Sequence, residues 1–299
     1  MSPSSLKWGA LSLLLVAGTA LGEEERLKPF VLASTSKGEV TAVAEALQPK
    51  LTAAGFEIVG DYTPYATARV LVVTSPELKA VAAKSKFGAY GAVQRVTVTR
   101  VGDDVQVAFT NPVYMQHAYR MQGDLAPVRA RLVAALGRIE DFGAAGLTAK
   151  ELAGYHYMWG MEYFDEPNLL GRFGSHGGAV KATEQGLAKG RGGAKLVYKV
   201  AIPESNETVI GVALSKDCSA DEFIMTEIDA KPVRSTGHLP YEIVVSGMNA
   251  YALFGRFRIA INFPDLKMMG ANSFMNIKCA PDEIEAVLRD VVWGDVARQ

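Results

Sequence analysis

Met115, His117 and Met121 fall within seven consecutive residues, in a stretch that opens at Asn111-Pro112. Thioether sulfur and imidazole nitrogen together suit copper, Cu(I) above all, and the same pair can ligate haem iron axially. If this stretch is helical, His117 and Met121 are spaced i, i+4 and can point at one atom. A second set, His156, Met158 and Met161, lies in the segment joining the two halves of the chain. Together they define a candidate site for a soft metal or haem. His117 and His156 would be the donors, and Met115, Met121, Met158 and Met161 the soft partners. Met also fills irregular gaps in apolar cores, and residue types alone leave both readings open.

Other reaction chemistry has little support. The chain lacks a GxSxG elbow, a Walker A pattern and an HExxH helix, and no catalytic residue stands out. The glycine-rich residues 171–178 precede a helix, where Ser175 reads as its cap rather than as part of a phosphate cradle. Asp221, Glu222, Glu227 and Asp229 read as a solvated face, and His238 as a surface residue at a strand entrance.

The elements that must position these residues begin with an export-like leader. Lys7 precedes an apolar run over residues 8–16, followed by small residues Ala20 and Gly22. That order predicts a signal peptide over residues 1–22, cleaved near Gly22-Glu23. The run is shorter than the ~20 residues of a spanning helix, so no membrane span is expected in the mature chain. The expected location is periplasmic or secreted. In such an oxidising compartment the two cysteines, Cys218 and Cys279, form an even pair that reads as a disulfide.

The 299 residues are 49% hydrophobic and 21% charged, with a formal net charge of -1. This is ordinary globular composition of about two domains' length, without the basic footprint of a nucleic-acid binder. The halves repeat. In each, a short extended run leads through Ser and Gly into a helix, with Val40, Val43, Leu47 and Leu51 forming the stripe of the first. A buried-looking strand follows in each, at Val70 and at Val209. A hairpin comes next, alternating over residues 93–100 and returning over 105–109, with residues 241–245 and 257–263 as its counterpart. Each half ends in a helix, over 127–136 and 281–292. The fold class is therefore α+β: two repeats of a β-α-β-(α)-β-β-α unit over 28–137 and 168–299. Their sheets should be antiparallel or mixed, with helices on one face.

His238-Leu239-Pro240-Tyr241-Glu242 and the closing Asn262-Phe263-Pro264 make this order resemble the domain of unknown function three hundred and two, a small α+β family. In the first half only Asn111-Pro112 answers to these motifs. The resemblance implies a fold and a tandem arrangement, and no activity.

Residues 138–167 join the repeats. Thr148 and Glu151 form a capping-box pattern, which predicts a helix from there to about Phe164. Its Tyr155, Tyr157, Trp159, Tyr163 and Phe164 are too apolar for an exposed linker, so the helix should pack between repeats or bind something. The expected function is an exported binding protein with a small ligand, soft metal or haem near the repeat junction. The rival readings are a structural or protein-interaction module with a protein partner, and an enzyme of unspecified type.

Overall fold

The computed structural model describes residues 24–293; the expected signal peptide lies outside them. The first repeat runs β1 (Phe30–Ser36), α1 (Val40–Ala53), β2 (Glu57–Tyr65), β3 (Ala68–Thr74), α2 (Pro76–Ala82), β4 (Gln94–Val101), β5 (Asp104–Thr110), α3 (Pro112–Ala118) and α4 (Ala126–Leu136). The joining segment holds β6 (Glu140–Phe142) and α5 (Ala149–Ala153). The second repeat runs β7 (Asn168–Arg172), α6 (His176–Ala188), β8 (Lys195–Ile202), β9 (Glu207–Ala213), α7 (Asp221–Ile228), β10 (Tyr241–Ser246), β11 (Asn249–Ala252), α8 (Gly255–Asn262) and α9 (Ala280–Trp293).

The two sheets share one topology. The first has the order β2-β3-β4-β5-β1-β6, and the second, read from its far edge, β8-β9-β10-β11-β7. Apart from β6, each strand has a counterpart in the same place. Every strand pair is antiparallel, which resolves the sequence's alternative of antiparallel or mixed sheets. The chain is α+β.

Local chemistry explains most boundaries. Ser75 accepts the Leu78 amide and Asn111 the Val113 amide, each with Pro at the first helical position. Ser175 accepts the Gly178 amide, so the glycine-rich entry to α6 is a cap, as expected. Thr148 and Glu151 form the expected capping box.

Three expectations are corrected. First, the joining helix does not reach Phe164: α5 ends at Ala153 with Gly154 as its C-cap, and the chain continues in turns. Gly160 adopts φ +81, which suits a turn and not a helix. Second, residues 257–263 are not the return strand of the second hairpin. Residues 257–262 belong to α8, where each is buried, and Phe263 is its C-cap. A helix buried on all sides loses the 3.6-residue alternation that marks it. The true return strand is the short β11. Third, each repeat contains an extra strand, β2 or β8, after its first helix. Both are edge strands with little continuous burial, so their patterns are weak; Pro64 in β2 fits an edge.

The packing follows from strand alternation. In β10, Ile243 and Val245 share a core with Ile284, Val287, Leu288 and Val291 of α9. The intervening Val244 instead joins the core of the first repeat, as do Val209 of β9 and Val200 of β8. One face of the second sheet is thus covered by its own helices and the other by the first repeat. Cys218 and Cys279 form a disulfide with Cα atoms 5.9 Å apart, tying the turn before α7 to the start of α9.

Candidate functional site

The sequence-predicted soft ligands are dispersed. Met115 and Met121 are 2% and 7% exposed in the core of the first repeat, where Met121 lies across Gly91. Met121 falls beyond the end of α3, so it does not share a helical face with His117. His117 lines a shallow cleft beside Val113, Thr148 and Lys150. His156 sits in another setting: its Nδ1 lies 2.8 Å from the Met158 carbonyl, and its ring centroid 4.5 Å from that of Tyr163. Met158 is exposed, and Met161 lines a small apolar recess with Tyr157 and Phe274. Among the described residues, no three His, Cys, Asp or Glu side chains converge as a metal site.

What the fold does assemble is a buried polar junction between the repeats. Its formation starts with a glycine. Gly211 pairs with Tyr198 across β8 and β9, and a Cβ at Gly211 would stand 2.0 Å from the Tyr198 ring. The missing side chain lets that ring lie over the sheet and donate to Glu242 Oε1 at 3.4 Å. Glu242 also forms an ion pair with Arg95 of β4, and both side chains are 1% exposed. Arg258 of α8 donates from Nε to Glu242 Oε2 at 3.2 Å and from a terminal nitrogen to the His238 carbonyl at 2.6 Å. Buried charges persist only when paired and hydrogen-bonded, and this carboxylate answers two guanidiniums.

The surrounding groups carry the consequences of burial. Arg95 is lowered to about 10, by desolvation first and then by Arg258. Desolvation, with help from both arginines, holds the His238 imidazole neutral, well below its usual range. Arg258 donates to His238 Nδ1 at 3.3 Å, so the imidazole proton sits on Nε2, 2.9 Å from the Tyr241 hydroxyl. Glu207 of β9 accepts the amides of Phe87 and Ala89 at 2.9 and 3.1 Å, a second clasp between the repeats. Burial pushes Asp221 well above the usual carboxylate range, and Tyr62 of β2 reaches it at 3.5 Å. His238 and Asp221 are thus interior residues, not the surface groups that their sequence contexts suggest.

The junction opens to solvent at one edge. There, Thr236 bonds the hydroxyls of Tyr65 and Thr99 at 2.9 and 2.8 Å. Beside it lies a cleft of about 310 Å³, lined by Tyr65, Thr99 and Arg100 of the first repeat and by Glu222, Asp229 and Arg234 of the second. A second cleft of about 250 Å³ opens on the other side of Asp229, along Ser235, Phe263 and Lys267. Asp229 is the wall between them. It is 4% exposed, accepts the Ser235 amide on both oxygens at 3.0 and 2.9 Å, and is raised to about 7 by burial. Its placement overturns the solvated-face reading for this residue as for Asp221. The junction cleft offers guanidinium, hydroxyl and carboxylate groups around one space, which suits hydrogen bonding to a small polar molecule.

Two features of the residue order hint at this site. Glu207 and Glu242 occupy strands that are otherwise apolar, and Arg258 stands in a run of apolar residues. A charge in such a run reads as solvent-facing until a second sheet covers that face.

No protein-family model matches the chain, and no curated protein or solved structure matches it either.

Proposed function

We propose that the chain is an exported binding protein that holds a small polar ligand in the cleft between its two repeats. The carrying observation is that a cleft of about 310 Å³ is lined from both repeats, by Thr99 and Arg100 of the first and by Glu222, Asp229 and Arg234 of the second. That volume suits a compact metabolite and is too small for haem, and the His and Met residues first considered lie elsewhere. The Arg95–Glu242 pair and the Glu207 clasp support a preformed cleft, because they hold the two walls in one relation. The disulfide supports an oxidising compartment, periplasmic or extracellular. Among the described residues no helix is long and apolar enough to cross a membrane.

The resemblance of the tandem repeat to the domain of unknown function three hundred and two belongs to the same proposal. His238 and Glu242, which carry that resemblance, are both members of the junction network.

The test is native mass spectrometry of the purified protein after incubation with a small-molecule extract of its own cells and medium. A one-to-one adduct that is lost in Arg100→Ala and Arg234→Ala is the expected result. No adduct, or one that survives both substitutions, overturns the reading.

A second reading, a protein-interaction module, has its own observation. Trp159 is 95% exposed beside Met158 at 45%, on the segment that joins the repeats. Photo-crosslinking from position 159 in intact cells would yield a discrete partner band if this surface docks a protein, and none if it does not.

A further inference from the structure

The second cleft beside Asp229 has a composition that the junction cleft lacks. Its floor is apolar, made by Ile228, Phe263 and Leu266, and its rim carries two ammonium groups, Lys231 and Lys267. Lys231 donates one proton to the Gly143 carbonyl at 3.2 Å, leaving two for other acceptors. Lys267 enters no ion pair among the described residues. Asp265, which also lines the cleft, accepts the Ala145 amide on one oxygen at 2.7 Å. Apolar floor, cationic rim and a space of about 250 Å³ describe a host for one small amphipathic anion.

We propose that this cleft is a second ligand site, taking a small carboxylate with an apolar body whose carboxyl group lies between Lys231 and Lys267. The site is independent of the junction-cleft reading and can fail or stand alone. A nucleotide or haem is too large, and a neutral molecule would leave the ammonium pair unanswered.

Asp229 makes the site pH-sensitive. The groups around it are Lys231 and Arg234 on its own loop, Tyr65 from β2, Arg100 from β4 and Glu222 from α7 on the junction side, and Asp265 and Lys267 on the other. Below about 7 Asp229 is mostly neutral and does not oppose an incoming anion; above that it repels one.

The probes are benzoate and hexanoate, with benzyl alcohol as the uncharged control, titrated calorimetrically into the full protein at pH 6 and pH 8. Saturable binding of at least one carboxylate is expected, tighter at pH 6 and absent for benzyl alcohol. Lys267→Ala and Lys231→Ala, both exposed positions, should each weaken it roughly tenfold. In Asp229→Asn the ratio of affinities at pH 6 and pH 8 should fall to about one, whatever the absolute affinity. The proposal is overturned if neither carboxylate binds, if benzyl alcohol binds equally well, or if both lysine variants bind like the parent. An affinity equal at the two pH values also overturns it, because the carboxyl group would then not lie beside Asp229.

Discussion

Arg95 of the first repeat and Glu242 of the second meet as an ion pair whose side chains are each 1% exposed. Glu242 simultaneously binds Arg258, so one carboxylate balances two buried guanidiniums. Breaking a buried pair from one side costs about 3–5 kcal/mol, because the surviving charge stays buried. Glu242→Gln should therefore destabilise more than Arg95→Met, which leaves Glu242 paired with Arg258. Urea denaturation of the two variants checks this; equal losses would contradict the account of Glu242 as the shared partner.

Gly211→Ala tests how the network is seated. The new Cβ would enter the Tyr198 ring and lift it from Glu242. Overpacking of this kind costs about 1–3 kcal/mol. Combining it with Tyr198→Ala should be clearly less destabilising than the sum of the single changes, read from the same denaturation curves.

Asp229 predicts a dependence of stability on pH. Its folded pKa of about 7 lies above the ordinary value of 3.8, so the folded state holds the proton more tightly than the unfolded one. The stabilising effect of that proton is complete below about 3.8 and is lost as the pH rises to about 7. The full difference corresponds to roughly 4 kcal/mol. Asp229→Asn, which cannot ionise, should gain stability relative to the parent across this window and show no further relative gain above about pH 8. Denaturation midpoints between pH 4 and pH 8 check it; parallel curves for parent and variant would contradict it.

The disulfide closes a loop with a sequence separation of 61. Removing it in the paired Cys218→Ala, Cys279→Ala variant should cost roughly 4 kcal/mol in the chain-entropy account. Reductant should lower the melting temperature of the parent and leave the variant unchanged, as thermal unfolding with and without reductant would show.

The legible parts of the fold are those whose local pattern survives in the three-dimensional setting. Val40, Leu47 and Leu51 mark α1, the Val93–Phe109 alternation marks the first hairpin, and the α9 stripe from Ile284 to Val291 marks the closing helix. The two helices have one face in the core and one toward solvent, while the hairpin keeps its alternation of residue types although both its faces are buried. The α8 helix lacks that contrast because it is buried all round, so its apolar density imitates a strand. Thr148 and Glu151 mark the start of α5 as a capping box, while the aromatic residues after Gly154 carry no local signal of its end at Ala153. Among them, Phe164 packs on Tyr119 with ring centroids 5.3 Å apart, and Tyr155 donates to the Ala260 carbonyl at 3.2 Å. These long-range contacts give the segment its apolar character without a helix.

The junction was harder to read than the fold. Arg95, Glu207 and Glu242 each sit on the side of a strand that would face water in a single repeat, and only the second sheet turns that side inward. His238 and Asp229 lie off the strands, in a short turn and at the end of α7, where polar residues read as exposed. The His and Met residues drew notice by type, but types without convergence make no site, and Met115 and Met121 serve the core.

Hydrogen–deuterium exchange of the protein, with and without the small-molecule extract, tests the binding reading most directly. The account predicts added protection confined to the walls of the junction cleft, in peptides spanning Tyr65, Arg100, Glu222 and Arg234. Protection centred instead on His117 or His156, or no change anywhere, would contradict it.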